Sequence, residues 1–94
     1  MSITIDGITF DQVAYDEDAD VLYMHVGDPS TATDFAESAE GHAIRLGASG
    51  RVVGLTLLRP RYHLQKGDPV TITIPASARI QIDPSALRSV VHAA

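Results

Sequence analysis

Tyr15-Asp16-Glu17-Asp18-Ala19-Asp20-Val21-Leu22-Tyr23-Met24 decides the fold. Four acids within five residues make a turn that stays in water, and an aliphatic and aromatic run follows at once. The run extends to Val26, and both of its faces, Val21/Tyr23/His25 and Leu22/Met24/Val26, are largely apolar. That pattern predicts an interior strand of a sheet. Upstream, Ile3, Ile5 and Ile8, Phe10 alternate with polar residues around Asp6-Gly7, which predicts a tight hairpin or a kinked first strand. Val13 and Tyr15 continue the alternation after a phase slip near Asp11-Gln12, where a bulge is expected.

Downstream, Gly27-Asp28-Pro29-Ser30 reads as a turn; within residues 31–39, Asp34–Ala39 could form a helical turn, but the alternation of Thr33, Phe35 and Glu37 favours a strand. Glu40-Gly41 and Ala48-Ser49-Gly50 mark hairpin turns on either side of His42–Leu46. Val52–Leu58 is a strand in which Gly54 signals a bulge or a close backbone approach. Arg59–Pro69 reads as a basic loop. Val70, Ile72 and Ile74 against Thr71 and Thr73 form a strand with one wet face, which Pro75 ends. Ile80 and Ile82 suggest a short extended piece. Asp83-Pro84 then opens a helix whose apolar stripe is Leu87, Val90 and Val91. The fold class is α+β: a mostly antiparallel sheet built of hairpins with one short C-terminal helix, in a single domain spanning residues 1–94.

Charge is segregated. Residues 1–44 hold ten acids and no Lys or Arg, whereas residues 45–67 hold five bases and no acid, within a net charge of −5. Two readings follow: acidic and basic strands pairing across one sheet, or a dipolar surface that docks a basic partner or a second copy. The acidic half argues against nucleic acid, because phosphates would be repelled. Zero cysteines exclude disulfides and thiol chemistry. No leader pattern and no run of about 18 apolar residues is seen, so a cytoplasmic protein without a membrane partner is expected.

Candidates for chemistry are few. Asp16, Asp18 and Asp20 have the spacing of the first three ligands of a calcium loop, but Val21 and Gly27 stand where its glycine and bidentate glutamate belong. His25 and His42 could meet across paired strands and join an acid on a transition metal, giving a small metal-dependent hydrolase as one alternative. His92 suits the end of a helix dipole. No nucleophile elbow, phosphate loop or dinucleotide fingerprint is present, and no cofactor is expected. Arg59, Arg61, Tyr62 and Lys66 form a basic patch of residue types suited to a protein contact.

Two blocks together carry a resemblance. Tyr15, Asp16, Asp20, Leu22 and Tyr23, followed by Gly50, Val52, Val53, Gly54 and Leu55, resemble the bacterial family called domain of unknown function 2283 over roughly residues 13–60. Thr56 stands where that family usually has Glu, and Ala48-Ser49 where it has an acidic turn. The resemblance implies a small antiparallel sheet over 13–60, with residues 61–94 adding strand and helix. It implies no established activity and no catalytic residue. Some members look like the small partner of a toxin-like protein, so an antitoxin-like role with a basic partner is an alternative by analogy. The residues themselves read as structural: Asp16 and Asp20 accept turn N–H bonds, while Tyr15 and Tyr23 fill a sheet face with their hydroxyls at its rim. The expected function is a small non-enzymatic protein-binding module that self-associates, as a homodimer.

Overall fold

The structure is a computed structural model that describes residues 2–28, 32–74 and 79–91. Its centre is a five-stranded antiparallel sheet of β3 (Gln12–Asp16), β4 (Val21–His25), β5 (Asp34–Glu37), β6 (Ala43–Leu46) and β7 (Val52–Leu58), ordered β3-β4-β7-β6-β5. Two separate hairpins accompany it: β1 (Ile3–Ile5) with β2 (Ile8–Phe10), and β8 (Val70–Thr73) with β9 (Arg79–Ile82). Helix α1 (Pro60–Lys66) follows β7, and helix α2 (Pro84–Val91) closes the described chain. The α+β class and its hairpin construction are therefore as the sequence reads.

The first hairpin forms because Asp6 and Gly7 both take positive φ, 49° and 80°, which matches a two-residue turn to the strand twist. The phase slip at Asp11-Gln12 is not a bulge. The chain leaves one sheet after Phe10 and joins another at Gln12. A register shift does occur elsewhere: Arg45 pairs with Gly54 and Leu46 with Val52, so Val53 is the extra residue of β7. Ala48–Gly50 forms a short 3-10 turn between β6 and β7. Expectations placed on Pro29, Ser30, Pro75 and His92 lie outside the described residues.

The basic loop is the one element misread. Pro60–Lys66 is helical, with Pro60 in the first turn, where its missing N–H costs nothing. Gly67 ends it at φ 75°, its N–H reaching the carbonyls of His63 and Leu64. Pro60, His63 and Leu64 turn inward, while Arg61, Tyr62, Gln65 and Lys66 turn to solvent. With one apolar inward residue per turn, the stretch has too short a periodic signal to announce a helix.

Alternation divides the sheet. Leu22, Met24, Ile44, Leu55 and Leu57 point to one face and are buried. They pack with Ile3, Ile5 and Phe10 of the first hairpin, Val70, Ile72, Ile80 and Ile82 of the second, and Leu87, Val90 and Val91 of α2. The two hairpins meet where Asp6 Oδ2 accepts the Gln81 N–H at 2.9 Å, 75 residues apart in sequence. Leu22 is fully buried in this layer. Leu22→Ala is expected to lower the unfolding free energy by about 2–5 kcal/mol, since the cavity would be lined on every side. Urea denaturation followed by circular dichroism measures it; a loss under about 1 kcal/mol would mean that the layer is loosely packed.

Candidate functional site

Three clusters hold the polar chemistry of the molecule. The first is built on Asp20, at the tip of the β3–β4 hairpin with φ 54°. Its Oδ1 accepts the Tyr15 hydroxyl at 2.7 Å and the Arg61 N–H at 3.3 Å, and lies 3.5 Å from Arg61 Nε. Its carbonyl accepts the Arg59 N–H at 2.9 Å, and Arg61 Nη2 reaches the Glu17 carbonyl at 2.6 Å. Arg59, itself left-handed at φ 54°, offers α1 no side-chain cap. Asp20 supplies the cap from another part of the chain, satisfying a first-turn donor with an anion near the helix N-terminus. Burial first, and then the bond to Asp20, push the Tyr15 phenol above its ordinary value.

The second cluster lines a cleft of ≈460 Å³ between the turn before β6, the end of β7, α1 and the start of β8. The His42 and His63 rings lie 5.8 Å apart. His42 Nδ1 accepts the Leu58 N–H at 3.2 Å, so a neutral ring carries its proton on Nε2. Burial chiefly, then His63, hold His42 below its ordinary value; burial, then Arg59 and Lys66, do the same to His63. Glu40 accepts both the N–H and the hydroxyl of Thr73, at 2.8 and 2.6 Å. Those bonds pull its carboxyl down to about 2.

The third cluster lies on the other face of the sheet, which no described element covers. Across it run Gln12, His25, Gly54, Arg45 and Phe35 in one row, and Ala14, Tyr23, Thr56, Ala43 and Glu37 in the next. Asp16, Val21 and Leu58 begin a third. Phe35 is 68 % exposed, Tyr23 48 % and Leu58 43 %. Gly54 lets its neighbours close in over the middle of the face. A Cβ there would stand 2.8 Å from the His25 ring and 3.2 Å from Arg45 Cβ, so both side chains lie down over it. Arg45 also sits over the Phe35 ring at 5.6 Å. His25 is only 7 % exposed; its Nδ1 lies 3.2 Å from the Gly27 carbonyl, while its Nε2 is buried without a partner. A buried polar atom left unmet costs on the order of 1–3 kcal/mol. Beside it opens a cleft of ≈290 Å³ reaching Tyr23, Thr56, Gln12 and Arg45.

The residues singled out in the sequence fall into different places. Asp16 accepts the Ala19 N–H at 3.2 Å and serves its own turn, Asp18 is exposed, and Asp20 is engaged as above. His25 and His42 do not meet. β7 lies between their strands, and His25 pairs opposite Gly54 whereas His42 bonds Leu58, roughly 13 Å further along. Among the described residues no group of three or more His, Asp or Glu side chains is arranged to hold a metal ion. Arg59 and Lys66 flank the Tyr62 ring at 5.4 and 5.5 Å, so the basic patch is one face of α1. Among the described residues, charge pairing joins the hairpin tip to α1 through Asp20 and Arg61. Sequence reading passed over Arg45, Phe35 and Leu58. The signal was Gly54, whose missing side chain marks where neighbours converge.

Such an arrangement defines a one-sided antiparallel sheet with an open, partly aromatic face. The chain belongs to the family described as "Protein of unknown function (DUF2283)", which matches residues 12–59, just over half of its 94 residues. That span is the five-stranded sheet alone, from the first residue of β3 to the residue after β7. No curated protein and no solved structure matches the chain. Among the described residues no helix is long and apolar enough to cross a membrane.

Two outcomes are expected. Asp20→Ala should lower stability by about 2 kcal/mol, because donors to a charged acceptor lose it, and Asp20→Asn by less, since asparagine keeps one acceptor and tolerates positive φ. Thermal melts of both variants check this; equal losses would mean that the carboxylate oxygens matter little. Stability should also fall with acid in two windows. His42 and His63 are depressed, so their contribution is complete above 6.5 and is lost as pH falls below it through their folded values. The Glu40 contribution is complete above 4.5 and is lost as pH falls toward 2. Denaturant midpoints measured from pH 8 to 3 test the sign; a midpoint that rises between pH 7 and 5 would contradict it.

Proposed function

We propose that the protein is a non-enzymatic protein-binding module that uses the outer face of its five-stranded sheet, and that its partner includes a second copy of itself. The observation that carries this reading is the exposure of Tyr23, Phe35 and Leu58 together on one uncovered face. Antiparallel sheets tolerate one wet face, but that face is ordinarily polar. Tyr23 and Leu58 stand on neighbouring strands and Phe35 at the edge strand, with Arg45 and Thr56 between them, and aromatic side chains set among polar ones suit a contact surface. Arg45 and Tyr23 add the residue types that interfaces favour, and Asp16 and Glu37 give the patch an acidic border. The basic face of α1, with Arg59, Arg61, Tyr62 and Lys66, begins directly after Leu58 in the chain and offers a second set of residue types suited to a protein contact.

The extent of the face sets the strength. Five strands about 4.8 Å apart and five residues at about 3.3 Å each give roughly 400 Å² per copy. A standard interface buries about 800 Å² per partner, so a weak, concentration-dependent association is expected. Sedimentation equilibrium up to about 1 mM measures it. Phe35→Glu and Leu58→Glu, both at exposed positions, should each shift the equilibrium toward monomer and leave the melting temperature within a few degrees. Association unchanged by both charges would remove the outer face as the binding surface.

A further inference from the structure

We infer that the cleft between the turn at residues 38–42, α1 and the start of β8 binds a small organic molecule with one carboxylate, which His42 Nε2–H, His63 and Arg59 receive while Leu58, Pro69 and Val70 hold its apolar body. The site is carried by residues other than Tyr23 and Phe35, and it stands whether or not the outer sheet face meets a partner.

The first observation is an unpartnered donor. His42 is 4 % exposed and lines the cleft. Its Nδ1 accepts the Leu58 N–H at 3.2 Å, so the neutral ring carries its proton on Nε2. The other bonds of His42 are made by its backbone: its N–H donates to Ser38 Oγ at 2.9 Å, and its carbonyl accepts the Ser38 N–H at 2.8 Å. No described residue accepts from Nε2–H. With the rest of the ring covered, an acceptor reaches that nitrogen only through the cleft. The three bonds hold the donor in position before anything binds, as a recognition site requires. They also argue against a metal ion at this ring, since one nitrogen has its lone pair engaged and the other has the proton.

The second is charge. Among the described residues, Glu40 and Arg59 are the charged side chains that line the cleft beside the two histidines. Glu40 is already engaged, its two oxygens accepting the Thr73 N–H and hydroxyl at 2.8 and 2.6 Å. Arg59 has no carboxylate partner among the described residues; its guanidinium rests over the Tyr62 ring at 5.4 Å. After burial, Arg59 and Lys66 are what hold His63 below its ordinary value, so their field reaches into the cleft. A planar carboxylate suits a guanidinium, which can meet it with two parallel N–H bonds.

The third is the limit on that charge. Glu40, with its carboxyl at about 2, is an anion at neutral pH, and the chain as a whole carries −5. Repulsion grows with the charge of the ligand, so a carboxylate is better tolerated than a phosphate dianion. The fourth is size. At ≈460 Å³ the cleft falls within the range of about 300–1,000 Å³ typical of small-molecule sites. Leu58, Pro69 and Val70 give it an apolar side next to a few convergent polar groups, the mixture that such sites use.

Titration of isotope-labelled protein with benzoate, benzyl alcohol and inorganic phosphate tests it, with the histidine rings and the Val70 methyls followed by NMR. Benzoate should shift His42 Nε2–H and the His63 ring saturably and give nuclear Overhauser contacts to Val70. Benzyl alcohol, which has the ring without the charge, should bind about tenfold more weakly or worse. Arg59→Asn should lose about tenfold in benzoate affinity, as removal of a charge-assisted bond does. Asparagine tolerates the left-handed backbone at this position, so the melting temperature should stay within a few degrees and separate lost binding from lost folding. Equal binding of benzyl alcohol, an unchanged benzoate affinity in Arg59→Asn, or benzoate shifts that miss His42 would each overturn the inference. Phosphate binding more tightly than benzoate would overturn the organic carboxylate as the class of ligand.

Discussion

Burial of the inner face of the five-stranded sheet is the contact on which the remainder depends. Leu22, Met24, Ile44, Leu55 and Leu57 alternate with outward residues, and a strand of period two cannot hide one set without exposing the other. A lone sheet with that face in water would not be stable. At about 1.5–3 kcal/mol per fully buried aliphatic side chain, covering it outweighs any single hydrogen bond in the molecule. The cover comes from both ends of the chain, and two hairpins and α2 close over the sheet together. Because every inner residue is committed, the outer row is free to differ, and it is there that Tyr23, Phe35 and Leu58 stand in water.

Asp20 works at a different scale. It does not enlarge the core, yet it fixes where the chain turns after β7. Two left-handed residues, Asp20 and Arg59, face each other through a backbone bond of 2.9 Å, and the carboxylate caps the helix that Arg59 cannot cap. A surface ion pair such as Arg61 with Asp20 contributes little alone. The backbone N–H and the Tyr15 hydroxyl on the same oxygen make the difference, because they hold both partners in place. The acidic turn that resembled a calcium loop is thereby explained as a joint between a hairpin and a helix.

Most strands were legible because each is a short alternating run bounded by Gly, Asp or Pro. Gly54 was legible in kind, and the structure shows both the close approach and the register shift beside it. Helix α1 was not: its inward residues are one proline, one histidine and one leucine, a pattern too thin to separate from a loop. The separation of His25 from His42 was hidden too, since strand order, not sequence spacing, places β7 between them. Nor could alternation say which face of β4 would be covered. Both read as apolar, and only the position of the two hairpins decides that Leu22 goes inside and Tyr23 outside.

The long reach of the Asp6–Gln81 bond bears on how the protein is made. A ribosome finishes the whole five-stranded sheet by Leu58, but the second hairpin and α2 are still to be synthesised. At roughly 5–20 residues per second, the stretch from 59 to 91 takes a few seconds. During that interval only the first hairpin can cover the inner face, and that hairpin waits for the strand it will bond. Vectorial synthesis thus gives the nascent chain a window in which part of its future inner face is open to other molecules.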